Sequence, residues 1–521
     1  HREKEEKEKT DHKQIIFIKK RRMMTMKKVM AVVLALVMCL GLFAACAEQP
    51  QQSQQPTSNG GNNNVNSGDL DLADARYQTA GKVVVATNAG RTTDTYTLLQ
   101  NFNNYYPNIE VEFVYYETTT TEYLTAQSAT GNMPDVIMDD ADEVYYYISQ
   151  GWVYPLNDFV KDDEDFSYVP ESIVSSYTYL DTLYALPMQV HFNTVLINLD
   201  LLDQLNMDLP ELDWSTDDYK EFLKDATNAQ YSGTELLWSV DEYLAGSMSK
   251  YGYYGFDLET KKFHMAESWV DAVNLMVELR SYPGLEAWSL RNTSADIESS
   301  DYVAKFGNGD TSDNHMAFKM GKVLTDPRGT WDMNWLNTDL SFDWVLWPWP
   351  SDTTENGEGA SLPMHVDCSL VMATAQDPQA AFEFVRYVTY SQEGNLERIA
   401  AYEMGDTDDY TLNNDYYIPA TNHPTVEEKW KALEKVDEGV AFMYDNMKSS
   451  FRADLNKIVP GWSQVNDEYL SPRGNEVRDS IADAASVASE LDILATKAIM
   501  TYWEDFAEKV EAVQEKFNGS H

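Results

Sequence analysis

Cysteine is almost absent from this chain, with three in 521 residues: Cys39, Cys46 and Cys368. So few thiols exclude a disulfide scaffold. Positive charge is scarce too, 39 Lys and Arg against 85 Asp and Glu, for a net charge of −46. A surface this acidic repels phosphate backbones and anionic headgroups, which excludes nucleic acid and anionic lipid as partners. The histidines are scattered, without metal-ligand spacing. The HExxH, GxSxG, P-loop and dinucleotide fingerprints are missing. Asp406-Thr407-Asp408-Asp409 lacks the glycine and the terminal glutamate of a calcium loop. Acidic residues occur everywhere, so no carboxylate pair stands out for glycoside hydrolysis. The expectation is a protein that is not an enzyme and holds no metal and no cofactor.

One stretch lacks charge altogether. Lys27-Lys28 precede Val29 to Ala45, which carry none, and Cys46 follows. A basic patch, an apolar run and a small-residue end form a secretory signal. Ala44-Ala45 before Cys46 resemble the lipobox of bacterial lipoproteins, in which the cysteine is acylated and becomes the new N-terminus. Phe43 stands where the usual branched aliphatic would be, with Leu42 before it. The competing reading is a single transmembrane anchor near the lower length limit for a span. Residues 1 to 25 are a charged extension before a start at Met26. Ala47 to Gly68 is nearly all Gln, Asn, Ser, Gly and Pro, a tether that cannot bury enough apolar surface to order itself. With Cys39 removed and Cys46 acylated, Cys368 would be left without a partner.

The rest is too long for one core, so two lobes are expected. Lys82 to Ala86 is a short β-branched run, read as a buried strand. Thr92 to Tyr106 has helical spacing and ends at Pro107. Ile109 to Val114 alternates as a second strand, Thr121 to Thr130 is a helix ended by Gly131, and Asp135 to Met138 is a third strand. That order implies right-handed crossovers and a mostly parallel sheet. A further apolar passage runs from Tyr184 to Asn198. Ser215 and Asp218 have capping-box spacing ahead of a helix. Residues 235 to 290 and 311 to 322 read as helical. Residues 343 to 350 form an aromatic strand, and Cys368 to Ala373 is strand-like. Asp377-Pro378 opens a helix, cap then proline. From Thr425 the pattern is mostly helical, with breaks near Pro460-Gly461 and Pro472.

Several of these motifs fall in a known order. They are Asn88-Ala89-Gly90 after a strand, Tyr106 to Val111, Ala126 to Gly131, and Met133-Pro134-Asp135-Val136-Ile137. Gly151 to Leu156, Ala185-Leu186-Pro187 and Leu196 to Leu202 follow. Met316-Ala317-Phe318, Gly329-Thr330-Trp331 and Asp377-Pro378 complete the set. The chain resembles the extracellular solute-binding proteins of ABC importers, the family with sugar- and oligosaccharide-binding members, over roughly residues 81 to 420. The resemblance implies a two-lobed α/β fold of the type II periplasmic-binding kind, with hinge closure over a ligand in the cleft. Residues 81–188 and 366–420 would form lobe 1, and 189–365 and 421–518 lobe 2. Residues 1–45 would be extension and signal, and 46–80 the lipidated cysteine and linker.

The implied ligand is a carbohydrate, an oligosaccharide by preference. The implied partners are ABC permease subunits and, through the lipid, the outer face of a bacterial plasma membrane, with the protein a monomer. The alternatives are a cationic or peptide-like solute, or a surface carbohydrate-active enzyme. Sugar faces need flat apolar rings, and sugar hydroxyls need paired donors and acceptors. With 13 Trp and 32 Tyr the supply is ample. Trp331 matches the family's cleft tryptophan, and Trp347 sits at a strand end. His191 follows Pro187 where relatives place a polar contact; its competing role is a satisfied hinge histidine. Asn88, Arg91, Asp139 and Asp142 are strand-end groups that could equally cap the next helix. Glu242 and Tyr243 would reach the cleft from the second lobe.

Overall fold

The computed structural model describes residues 74–519, apart from 90–100, 139–140, 238, 308–312, 314, 333–335, 337–338, 355–358, 405–416 and 435. Arg91 and Asp139 therefore lie outside the described residues, as do Cys46, the signal and the tether. Most of the expected helix from Thr92 lies outside as well.

The first lobe starts from three strands: β1 (Gly81–Asn88), β2 (Ile109–Tyr116) and β3 (Val136–Ile137). Val83, Val85 and Ala86 are buried, as the β-branched run requires. β1 pairs in parallel with β2 along its whole length, and with β3 on its other side. Helix α1 (Thr120–Thr130) carries the Thr119–Glu122 capping box and stops at Gly131, whose φ of 73° suits a residue without Cβ. Helix α2 (Val144–Ser149) follows β3.

The longest strand, β4 (Leu186–Asn198), leaves the first lobe and enters the second. Its first half pairs antiparallel with β8 (Pro363–Val371), the strand that returns. Its second half pairs with β6 (Val323–Gly329) and with β7 (Trp344–Pro348). β5 (Ser232–Thr234) adds to β6, and β9 (Phe451–Arg452) adds to β8. The nine strands form one sheet, in the order β2-β1-β3-β8-β4-β6-β5 with β7 and β9 off that path.

This sheet is mixed, which corrects the expectation of a mostly parallel one. The crossover spacing holds for β1 to β3, where each strand is followed by a helix. β8 instead comes back from the second lobe and runs against both β3 and β4.

Helices close both faces. α3 (Leu199–Leu205) is capped by Asn198, and α4 (Thr216–Ala226) has the Ser215–Asp218 capping box. α5 (Val240–Ser247) and α6 (Trp269–Ser281) lie in the stretch expected to be helical, with a short hairpin (Phe256–Asp257, Lys262–Phe263) between them. The helix expected over 311 to 322 is confined, among the described residues, to Met316–Lys319. α7 (Pro378–Val388) and α8 (Gln392–Met404) pack on the first lobe. Pro472 lies at the second residue of α9 (Ser471–Arg478), directly after a π-helical turn (Asn466–Leu470), so the helical run passes through it without the expected break.

The last helix, α10 (Ala484–Gly519), packs along residues from the early and middle parts of the chain. Near its start, Asp492 accepts from the Met265 amide at 2.6 Å, and near its end Phe517 meets the Tyr154 ring at 5.7 Å. Cys368 is buried in β8, and that burial pushes its thiol up to about 12, so it is unreactive at neutral pH. Among the described residues no helix is long and apolar enough to cross a membrane.

Candidate functional site

The site grows from the alternation of side chains along the two crossing strands. On β4, Met188, Val190 and Phe192 point to one face, and Gln189, His191 and Asn193 to the other. On β8 the register sets His365 opposite His191 and Asp367 opposite Gln189. Five polar side chains thus share one face where the chain passes between the lobes.

That face is wired internally. His191 Nδ1 lies 3.1 Å from Thr330 Oγ1, and the Phe192 amide donates to the same oxygen at 3.2 Å. Gln189 Nε2 is 3.1 Å from His191 Nε2 and donates to Asp367 at 3.3 Å. Lys457 donates to the other Asp367 oxygen at 3.0 Å. His365 Nε2 is 2.8 Å from Asn193 Oδ1, and Asn193 in turn bonds the Tyr243 side chain.

Trp331 stands on this platform. It follows the end of β6, and its ring meets His365 edge to face at 4.9 Å and His191 at 5.9 Å. It remains 39% exposed although both imidazoles lie against it. A large aromatic face held by two rings and open to solvent at a lobe junction is the geometry that stacks on a planar or pyranose ligand.

Loss of water around its ring lowers His365 to about 4, against the pull of Asp454. Its folded value lies below the unfolded one, so the unfolded chain binds more protons between the two. The corresponding stability is complete above the ordinary histidine range and is lost as pH falls toward about 4. His365→Asn should flatten that part of the profile, read from urea midpoints between about pH 4 and 7.

Beyond Tyr243 the wall continues into a polar cavity of about 440 Å³, lined by Glu242, Tyr253, Trp462, Asn466, Asn475 and Arg478 among others. The Tyr243 and Tyr253 rings are 5.3 Å apart, which joins the cavity to the Trp331 platform. Arg478 holds Glu242 at 2.7 Å and Asp241 at 2.9 Å, and the Tyr253 hydroxyl donates to Glu242. Burial pushes the Glu242 carboxyl up, and Arg478 opposes it. Asn466 belongs to a π-helical turn (Asn466–Leu470), a distortion common beside binding sites.

His191, Trp331, Tyr243 and Glu242 are thus brought onto one continuous wall. Asn88, at the end of β1, reaches the Thr118 carbonyl at 3.4 Å. Asp142 accepts from Thr121 at 3.0 Å and from the Tyr147 hydroxyl, tying α1 to α2. Trp347 is only 2% exposed, on β7 opposite Val195. Sequence reasoning passed over Asn193, His365, Tyr253, Trp462 and Arg478. The polar alternation in Gln189-Val190-His191-Phe192-Asn193 and in His365-Val366-Asp367 was the signal available for two of them.

Comparison with known proteins agrees with this architecture. The profile of the bacterial extracellular solute-binding protein family matches residues 97–407. An ABC substrate-binding protein from Listeria monocytogenes, solved in complex with cycloalternan, superposes with a TM-score of 0.56 at 14% identity, covering 80% of this chain and 99% of that one. A sugar transporter protein from Rhizobium etli in an open conformation gives 0.58 at 15% identity, over 81% and 99%. The maltose/maltodextrin-binding domain from Bdellovibrio bacteriovorus, bound to maltotriose, gives 0.52 at 14% identity, over 81% and 100%. At such identities the likeness is one of fold: a mixed α/β, two-lobed binding protein. The family match spans more than half of the chain, and the chain belongs to the bacterial extracellular solute-binding proteins.

Proposed function

We propose that this protein captures a carbohydrate, an oligosaccharide by preference, between its lobes and delivers it to an ABC permease. The observation that carries the reading is the half-exposed Trp331 ring, seated on His365 and His191 beside a polar cavity. The ring offers a sugar C–H face a flat partner, and Asn193, Tyr243 and Asn466 offer hydroxyls donors and acceptors. Structural relatives bound to cycloalternan and maltotriose favour the same ligand class. The wall's carboxylates are already engaged, Glu242 by Arg478 and Asp367 by Lys457, which speaks against a cationic solute.

Calorimetry against a panel including maltotriose and cycloalternan tests this. A bound glycan at 100 times its dissociation constant should stabilise the fold by about 2.7 kcal/mol if only the folded form binds it. Scattering should show a more compact body with ligand. A panel without a binder, beside a peptide or amine that binds, would overturn the reading.

The anchor in this proposal is Cys46, acylated at the end of the apolar run, with lobes divided as the resemblance implies. Cys46→Ser should release the protein from membranes or leave it unprocessed there. Mass spectrometry finding an unmodified mature N-terminus elsewhere would refute the anchor.

A further inference from the structure

Arg398 lies on α8 of the first lobe, 3% exposed, outside the wall just described. Its guanidinium lies 3.8 Å from the centre of the Tyr417 ring. Tyr417 begins a segment that runs beside β4: Ile418 accepts from the Val190 amide at 2.9 Å, and Pro419 bridges Gln189. Of the guanidinium nitrogens, one NH2 group donates to Gln189 Oε1 at 2.6 Å, while Nε and the other amino group have no hydrogen-bond partner among the described residues.

That single bond fixes a chain of protons. A guanidinium only donates, so the Gln189 oxygen must face Arg398. Asp367 accepts from the Gln189 amide nitrogen at 3.3 Å in that orientation, but it also lies 3.5 Å from His191 Nε2, so it can take a proton from either group and does not by itself fix the amide. The Gln189 NH2 group then also faces His191 Nε2 at 3.1 Å, so that nitrogen must be the acceptor. In a neutral imidazole the proton then sits on Nδ1 and is donated to Thr330 Oγ1 at 3.1 Å. Thr330 immediately precedes Trp331.

We propose that Arg398 is a positioning residue for ligand binding: through the Gln189 amide it sets the His191 tautomer, which pins Thr330 and so orients the Trp331 ring. The path runs from the first lobe, through the crossing strand, to the second. Its effect on binding rests on the stacking role proposed for Trp331; the tautomer itself does not.

The test uses Arg398→Met, which keeps an apolar stem against Tyr417 and removes the donors, and Arg398→Lys, which restores one. Long-range proton–nitrogen NMR of the histidine rings in the ligand-free protein should show a pyrrole-type Nδ1 and a pyridine-type Nε2 at His191. In Arg398→Met that pattern should invert or average, and in Arg398→Lys it should return. Calorimetry with maltotriose should show about tenfold weaker binding for the Met variant, or about 1.4 kcal/mol, and recovery with Lys. Should Arg398→Met not fold, Gln189→Glu puts a second acceptor against His191 Nε2 and should force that nitrogen to donate. A His191 tautomer unchanged in the folded Met variant, or in Gln189→Glu, overturns the proposal. A tautomer that shifts as expected in a protein that binds no saccharide supports the wiring and removes the sugar reading instead.

Discussion

Trp331→Ala is expected to weaken saccharide binding by about thirtyfold while leaving the melting temperature nearly unchanged. The first half follows from the role of a flat aromatic ring at the centre of a binding wall, whose truncation costs on the order of 2 kcal/mol or more. The second half follows from exposure. A core tryptophan cut to alanine would cost about 3–5 kcal/mol of stability. Trp331 is 39% exposed; its ring meets His365 and His191 edge to face and lies over Gly329, whose missing Cβ leaves room for it. Trp331→Phe should recover part of the affinity, because a smaller flat face remains. Melting and calorimetry on one sample separate the cases. Unchanged affinity in a folded Trp331→Ala protein would remove the stacking role, and a steep loss of stability would mark the ring as core.

Much of the fold could be read locally. The β-branched run at Val83 to Val85, the stop at Gly131, the Ser215–Asp218 box and Asp377-Pro378 are signals contained within a few residues, and each became the expected element. Strand direction is not such a signal. Whether β8 runs with or against β3 depends on how the chain returns across the second lobe, about which residues 363–371 carry no local information. Pro472 shows the same limit at short range. A proline usually ends a helix, and only the preceding π-helical turn lets the run continue through this one.

The site divides along the same line. Trp331 and His191 were readable because they stand in ordered motifs. Asn193 and His365 were written into the alternation of two strands, but that pattern looks functional only once β4 and β8 are known to be neighbours. The Arg478–Glu242 pair joins positions 236 apart in sequence, and no periodicity links them. Arg478 also lies beyond residues 97–407, so the stretch covered by the family profile holds only part of the wall.

The largest loss of stability is expected away from the site, from Arg386→Met. Arg386 sits in α7 with 2% exposure, 2.7 Å from Asp163 and in contact with Asp165 and Glu393. Arg76 helps from the edge, 3.4 Å from Asp163 and 3.8 Å from Glu383. Removing one member of a buried ion cluster leaves the others desolvated and unpaired, at a cost of about 3–5 kcal/mol.

The pH dependence should shift with it. In the native protein Asp163 is held below the usual carboxylate range, its burial outweighed by Arg386 and Arg76. Its stabilising effect is present above the unfolded pKa and is lost as pH falls through the lowered folded value. Burial already pushes Asp165 the other way. Without Arg386, burial and mutual repulsion should raise the Asp163 and Asp165 carboxyls, so that these two groups bind more protons in the folded state than in the unfolded one. Arg386→Met should therefore lose less stability than the native protein as the solution is acidified from neutrality toward the ordinary carboxylate range, because the native protein alone loses the Asp163 contribution there. Urea unfolding of both proteins across that range measures the two slopes. Slopes that do not differ would show that Arg386 does not neutralise the cluster.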